Sequence, residues 1–175
     1  VLLHVHTRKG YGHPFCENAP TETHGVGKGG ETEREFSAAL GEELVSLAAR
    51  DSRVVAVTAA MTDSLGLRRF FDRFPERAFD VGICEEHASI LCAALAAAGM
   101  RPYYAIYFTF LQRAYDEVIH DVCAQNLPVV FCIDRAGVTG RDGETHQGVF
   151  DLSFLLPVPN LTIAVPKDIS EFRSM

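Results

Sequence analysis

Two glutamates and a histidine stand directly before a run of small apolar residues in the middle of the chain. In DVGICEEHASILCAALAAAG, residues 80–99, Glu85, Glu86 and His87 fall where a short strand gives way to a helix. A helix N-terminus favours negative charge, so a glutamate there either stabilises the helix or meets a ligand. A half-buried carboxyl at that point can share a proton with a ligand atom, which is general acid–base chemistry. Glu85 is the candidate for this role, and Glu86 is expected to be its solvated neighbour.

Aromatic side chains and an arginine gather at the next junction between a strand and a helix, YFTFLQRAYD, residues 107–116. Most of these aromatic rings are expected in the core, but one exposed at the edge could stack on a flat heterocycle. Arg113 lies in the first turn of the predicted helix, where its positive charge opposes the helix dipole. That position suggests an anionic partner, and an ion pair with Asp116 or Glu117 is the alternative.

A polar, glycine-rich segment, DRAGVTGRDGETHQG, covers residues 134–148 and is longer than a minimal connection. Its glycines permit close approach to a ligand, and Arg135, Arg141, Asp142 and His146 could bind phosphate and transfer protons. A mobile surface loop with no function is about as plausible from the residues alone.

Strands and helices alternate along the chain, which predicts an α/β fold. The pattern predicts strands at residues 1–6, 53–58, 77–83, 101–108, 128–134 and 160–165, and helices at residues 33–50, 64–74, 86–98 and 110–126. Such alternation indicates a three-layer, doubly wound and mostly parallel sheet with helices on both faces. The helix at 86–98 is apolar or small on every side and the strand at 128–134 is continuously apolar, so both are expected to be buried.

The residues that could do chemistry follow the carboxyl ends of these strands, where α/β sheets bind ligands. They are Met61, Ser64, Glu85, Glu86, His87, Tyr107, Phe110, Arg113 and the segment 134–146. Residues without a common function would be scattered between both edges of the sheet. The clustering therefore predicts a site at one edge.

Composition narrows the class of protein. The net charge of −7 over 175 residues argues against a nucleic-acid partner, and no apolar stretch is long enough for a membrane span. Five cysteines without close pairing favour a reducing compartment. No metal-binding motif is present, so a metal site built from this chain alone is not expected. The start at VLLHVH and the glycine-rich residues 7–32 indicate a piece of a longer protein, with the end of a preceding domain and a linker in residues 1–31 and one domain in residues 32–175.

One long stretch, FDVGICEEHASILCAALAAAGMRPYYAIYFTFLQRAYDEVIHDVCAQNLPVVFCIDRAGVTGRDGETHQGVFDLSFL, resembles the pyrimidine-binding domain of the 1-deoxy-D-xylulose-5-phosphate synthase family. These are thiamine-diphosphate enzymes related to transketolase. The motifs YFTFLQRAYDEVIHDV, DRAG and DGETHQG carry most of the resemblance, which extends from HVHTRKGYG to VPNLTIAVPKD.

The resemblance implies a role for Glu85 and for most of the other candidates. Glu85 matches the glutamate that contacts N1′ of the cofactor's aminopyrimidine and so promotes removal of the thiazolium C2 proton. Phe110 matches the ring that stacks on the aminopyrimidine, and Met61 an apolar support beside it. The substrate-handling set comprises Tyr107, Arg113, Arg135 and His4 for binding, with Asp142 and His146 for proton transfer and donor binding.

The resemblance also implies partners and a setting. The substrates are pyruvate and glyceraldehyde 3-phosphate, and thiamine diphosphate and Mg²⁺ are anchored by a domain that this sequence does not contain. The complete enzyme is expected to be a cytoplasmic homodimer, or plastidic in a plant, and the isolated chain is expected to be inactive. Two alternatives stay open, another thiamine-diphosphate enzyme of the transketolase family and a non-catalytic module that retains the fold.

Overall fold

A parallel four-stranded sheet forms the frame of the larger part of the chain. The computed structural model describes residues 1–18, 35–139 and 143–175, and the chain divides into two units, Val1–Gly30 and Glu31–Met175. The strands are β1 (Val54–Thr58), β2 (Ala78–Asp80), β3 (Arg101–Tyr107) and β4 (Val130–Asp134). They lie in the order β2-β1-β3-β4, with every neighbouring pair parallel.

Helices and helical turns connect these strands. The α-helices are α1 (Pro14–Asn18), α2 (Glu35–Arg50), α3 (Arg68–Arg73), α4 (Glu85–Ala97), α5 (Phe108–Leu111), α6 (Tyr115–Glu117), α7 (Asp151–Leu155) and α8 (Ile169–Ser174). Short 3₁₀ turns cover Pro75–Arg77, Gln112–Ala114 and Glu144–His146, and a π-helical segment covers Val118–Cys123. Among the helices of the described ranges, none combines the length and the apolar character that a bilayer crossing requires.

The strand order makes the sheet doubly wound, as the sequence predicted. The chain leaves β1 for β2 on one side and then crosses back to β3 and β4 on the other. Because such crossovers are right-handed, the reversal places α3 on one face and α4 on the opposite face. Helix α2 packs against α3, and α4 packs against the π-helical segment. The point of reversal lies between β1 and β3, at whose carboxyl ends ligands bind in folds of this kind.

The central strands form the core because their side chains are apolar on both faces. All five residues of β1 are buried, and Tyr104, Ala105 and Ile106 of β3 have no exposed surface. Leu111, Val118 and Val122 of the long helical segment are buried against them, while Tyr115 is half-buried. Gly99 ends α4 with a φ of 89°, which glycine adopts at little cost.

Two predicted strands are wrong. Residues 1–6 form no strand, and their side chains are exposed. A strand needs a neighbour for its backbone groups, and none pairs with residues 1–6 among the described residues. Residues 160–165 alternate between half-buried and exposed side chains at first but make no ladder with β4. The Asn160 side chain instead donates to the Cys123 carbonyl at 3.0 Å.

Two burial predictions also need correction. Strand β4 is the edge of the described sheet, so its residues are exposed or half-buried rather than enclosed on both sides. Helix α4 buries one face through Ala88, Cys92 and Ala96 but leaves Ile90 and Ala94 exposed. The sequence shows that every face of α4 is apolar or small, but it does not show which faces another element covers.

Candidate functional site

Glu85 is buried at the start of α4, although it carries a carboxylate. Its side chain is 3% exposed, and one of its oxygens accepts a hydrogen bond from Arg113 Nη1 at 2.7 Å. The Glu85 carbonyl accepts a hydrogen bond from the Tyr104 hydroxyl at 3.3 Å. Burial raises the pKa of Tyr104 far above its usual range, so this hydroxyl remains a neutral donor. The buried carboxylate is thus compensated by an ion pair, as burial of a charge requires.

Arg113 comes from the helical segment after β3, and its partner is 28 residues away in sequence. Arg113 therefore pairs with Glu85, which is neither of the two local acids, Asp116 and Glu117, in the alternative prediction. The Arg113 side chain is 48% exposed, so the ion pair is closed on the Glu85 side and open to solvent on the other. A ligand at this edge can therefore reach the guanidinium without disturbing the core.

Phe110 lies at the centre of the candidate site. Its ring stacks on Tyr107 with centroids 6.0 Å apart, meets the His146 ring edge-on at 5.1 Å, and lies 5.0 Å from the Arg113 guanidinium carbon. The Phe110 ring is half-buried. One aromatic ring thus joins residues from the end of β3, from the long helical segment and from the segment after β4.

Arg135 joins the same group through Tyr107. Its guanidinium carbon lies 4.1 Å from the centroid of the Tyr107 ring, a cation–π contact. The two residues meet because Tyr107 pairs with Asp134 in the β3–β4 register. Arg135 has a φ of 55°, an uncommon backbone conformation for a residue with a side chain. Ser37 of α2 donates to Asp134 at 2.6 Å and fixes the end of β4 just before this turn.

We call the residues Glu85, Tyr107, Phe110, Arg113, Arg135 and His146 the edge cluster. Each was a candidate from the sequence, and direct contacts now connect all six. Their acid, cationic and aromatic side chains can hold a flat heterocycle and an anionic group together. Their roles in catalysis or binding stay predictions.

Three further candidates are not part of these contacts. Met61 is buried in the core three residues beyond the end of β1, at the same edge of the sheet. His4 lies in the smaller unit, where its ring contacts His6 at 4.2 Å. Asp142 lies outside the described residues. Among the residues that the structure describes, no group of three or more His, Cys, Asp or Glu side chains is placed to hold a metal ion.

Sequence reasoning missed Asp80, which organises two loops beside the edge cluster. Its carboxylate accepts hydrogen bonds from the Ala60 amide at 2.8 Å, the Thr62 hydroxyl at 2.7 Å and the Gly82 amide at 3.0 Å. It therefore connects the loop after β1 to the segment that leads into Glu85. An aspartate at the end of a strand and two residues before a glycine was the available signal, because Asp side chains bind backbone amides two residues on in turns.

The sheet, its point of reversal and a charged aromatic cluster at the carboxyl edge define a ligand-binding α/β domain. The profile of the family described as "Transketolase, pyrimidine binding domain" matches residues 32–175. The chain belongs to this family. The interpretation of residues 1–31 as the end of a preceding domain and a linker stays a prediction.

Curated relatives give a more specific similarity. The chain is 54% identical over 181 residues to a 1-deoxy-D-xylulose-5-phosphate synthase of Clostridium perfringens (strain SM101 / Type A), covering 99% of this chain and 29% of that protein. It is 56% identical over 183 residues to the synthase of Desulforudis audaxviator (strain MP104C), covering 100% of this chain and 29% of that protein. The chain thus spans 29% of the length of each of these two relatives.

Solved structures share the fold. A split-gene transketolase, described as an "inactive beta4 tetramer", matches with a TM-score of 0.69 and 29% identity, covering 79% of this chain and 44% of that one. Transketolase from Campylobacter jejuni matches with a TM-score of 0.73 and 23% identity, covering 79% of this chain and 22% of that one.

Proposed function

We propose that this chain is the aminopyrimidine-activating part of a 1-deoxy-D-xylulose-5-phosphate synthase. That enzyme condenses pyruvate with glyceraldehyde 3-phosphate and releases carbon dioxide. Support comes from the identities of 54% and 56% to proteins of that name and from the contacts that connect the edge cluster. Because the chain spans 29% of those relatives, we propose the activity for a complete protein that contains it.

The edge cluster fits the aminopyrimidine end of thiamine diphosphate. A buried carboxylate, Glu85, suits a ring nitrogen that must exchange a proton, and the half-buried ring of Phe110 suits stacking on a flat heterocycle. Arg113 connects the two because it binds the Glu85 carboxylate and lies against the Phe110 ring. When bound, thiamine diphosphate supplies the nucleophilic carbon that adds to the donor's carbonyl group.

This chain's residues orient the reactants and control protons. Glu85 holds or releases the proton at the ring nitrogen, and Arg113 holds that carboxylate in place through its hydrogen bond. Arg135 and Arg113 bind the phosphate of the acceptor, since guanidinium groups match phosphate oxygens. His146 transfers a proton near Phe110, and Asp142 assists it. Tyr107 orients Arg135. Met61 contacts the cofactor, and His4 contacts the substrate.

The proposal extends to parts outside this chain. Another domain of the complete enzyme would bind the diphosphate and Mg²⁺, and a second copy of the enzyme would complete a homodimer. The exposed apolar side chains of Ile83, just before α4, and of Ile90, within α4, support such a contact between copies. A cytoplasmic location is proposed because all five cysteines are free thiols.

The proposal depends most on one observation: direct contacts connect Glu85 to Arg113, Arg113 to Phe110, and Phe110 to His146. The test is turnover by the complete protein, purified with thiamine diphosphate and Mg²⁺. We expect 1-deoxy-D-xylulose 5-phosphate from pyruvate and glyceraldehyde 3-phosphate, with release of carbon dioxide. A complete protein that binds the cofactor and forms no product from this substrate pair would refute the assignment.

A second candidate is another enzyme of the transketolase family, because a solved split-gene transketolase matches this chain at 29% identity. Turnover with a ketose phosphate donor in place of pyruvate distinguishes the two. That structure is described as an inactive assembly of a split-gene transketolase. In keeping with that, we expect no turnover and only very weak cofactor binding by the 175-residue chain alone, as measured by calorimetry.

A further inference from the structure

Two side chains outside the edge cluster, Asp151 and Gln147, close the segment that follows β4 by binding its backbone. Gly137 and Gly148 form an antiparallel bridge, in which the Gly148 amide donates to the Gly137 carbonyl at 2.8 Å and the Gly137 amide donates back at 3.3 Å. The Asp151 carboxylate at the start of α7 also accepts a hydrogen bond from the Gly137 amide. The bridge therefore joins the end of β4 to the start of α7.

The Asp151 carboxyl group is packed against the bridge. A Cβ atom at Gly148 would lie 2.5 Å from Asp151 Oδ1, so the carboxyl can occupy this place only because residue 148 has no side chain. Asp151 Oδ1 is buried and has no hydrogen-bond partner among the described residues. Burial raises the pKa of Asp151 despite the backbone hydrogen bond from Gly137. The Asp151 carboxyl group is thus held against the bridge even though its burial disfavours the charged form.

Gln147 provides a second closure farther along the same segment. Its Oε1 accepts from the Thr139 amide at 2.7 Å, and its Nε2 donates to the Thr139 carbonyl at 3.1 Å and to the Gly143 carbonyl at 3.2 Å. One side chain amide thus pairs with both backbone groups of Thr139, as a neighbouring strand would.

The closed segment carries two members of the edge cluster. Arg135 lies two residues before the bridge, and His146 directly precedes Gln147. The Thr109 hydroxyl at the start of α5 donates to the Thr145 carbonyl at 3.1 Å and ties the His146 turn to the Phe110 helix. Because His146 is joined directly to Gln147, loss of the Gln147 contacts with Thr139 would shift the His146 ring relative to the Phe110 ring.

We propose that Asp151 and Gln147 are positioning residues, which close the segment after β4 and thereby set where Arg135 and His146 meet the substrate. This rests on the proposed function for the meaning of the site, while the closure itself is a property of the fold. The two residues touch neither the edge cluster nor a reacting atom in the contacts described, and they act through the backbone of residues 137–139 and 143–148.

The test uses the complete enzyme and four substitutions on this closure. Asp151→Ala removes the acceptor, Gly148→Ala displaces it, and Gln147→Ala removes the second closure. Asp151→Asn keeps an oxygen that can accept from the Gly137 amide. Ser153→Ala, on the exposed side of the same helix, is the matched control. Each variant is measured for kcat and KM with both substrates, and for amide hydrogen exchange at residues 137–139 and 143–148.

We expect Asp151→Ala, Gly148→Ala and Gln147→Ala to raise the KM for the phosphorylated substrate about tenfold, because misplacement of binding groups weakens substrate positioning. Their amides at Gly137, Thr139 and Gly148 exchange faster. Asp151→Asn restores both readouts to near wild type, and Ser153→Ala changes neither.

Wild-type exchange and unchanged kinetic constants in Asp151→Ala and Gln147→Ala would overturn the proposal. So would a folded Asp151→Asn variant that is as impaired in both readouts as a folded Asp151→Ala variant. If Asp151→Ala does not fold, Gln147→Ala decides by the same two readouts. If the wild-type enzyme does not use pyruvate and glyceraldehyde 3-phosphate, the proposed function fails, and hydrogen exchange still decides whether the closure exists.

Discussion

Replacing Arg113 by methionine tests the ion pair on which the buried Glu85 depends. Methionine keeps much of the apolar length of the arginine side chain and removes its charge. The variant leaves a carboxylate that is 3% exposed without its cationic partner at 2.7 Å. We therefore expect Arg113→Met to lower the free energy of unfolding of the chain at neutral pH.

The magnitude follows from the burial of the two partners. Removing one partner of a fully buried ion pair costs about 3–5 kcal/mol, while exposed pairs contribute about 0–1 kcal/mol. Glu85 is buried like a partner in a buried pair, whereas Arg113, at 48% exposure, resembles a partner in an exposed pair. The expected loss is about 2 kcal/mol, because water can reach the site that the guanidinium leaves.

The assay is a double-mutant cycle in urea with Arg113→Met, Glu85→Gln and the double variant. We expect a coupling free energy of about 2 kcal/mol at pH 7.

The pair Arg68–Asp63 is the matched control. It has a similar distance of 2.8 Å, but the side chains are 56% and 39% exposed. Its coupling free energy should not exceed about 1 kcal/mol. Equal coupling in the two cycles would refute the reasoning from burial.

Three other predictions follow from the fold. Asp80→Ala should lower the free energy of unfolding by about 1–3 kcal/mol in urea, because three donors lose a charged acceptor; an unchanged midpoint would contradict this. Gly66→Ala should destabilise the chain far more than Gly82→Ala in thermal unfolding. Both have a positive φ, but a Cβ at Gly66 would lie 2.2 Å from the Ser37 carbonyl oxygen, whereas Gly82 has open space. Asp151→Asn should gain stability relative to wild type as the pH rises from 3 to 7, because a carboxyl whose folded pKa is raised contributes stability below its unfolded pKa and loses it above. A constant difference across that range would contradict the last prediction.

Much of the frame was accessible from the sequence because the buried strands carry their own signal. The apolar runs at β1 and β3 predicted strands that the structure confirms. The rule that ligands bind at the carboxyl ends of parallel strands then brought Glu85, Phe110 and His146 together before any contact was known. Topology alone was enough for that step.

Other features depend on contacts that one sequence cannot reveal. The position of Arg113 indicated an anionic partner, but Glu85 is 28 residues away, and the alternative offered only the local acids Asp116 and Glu117. Residues 160–165 have a strand-like composition, but a strand exists only where its backbone finds a partner. The roles of Asp80 and Asp151 come from backbone amides that their side chains bind, and almost any loop sequence contains such aspartates.

The most direct test of the account concerns the proton that Glu85 is proposed to control. In the complete enzyme, exchange of the C2 proton of bound thiamine diphosphate with deuterium is measured by NMR for the wild type and for Glu85→Gln. The account predicts that the wild type exchanges this proton rapidly, and that Glu85→Gln binds the cofactor but slows the exchange at least about a hundredfold. Equal exchange rates in the two proteins would contradict the assignment of Glu85 to cofactor activation.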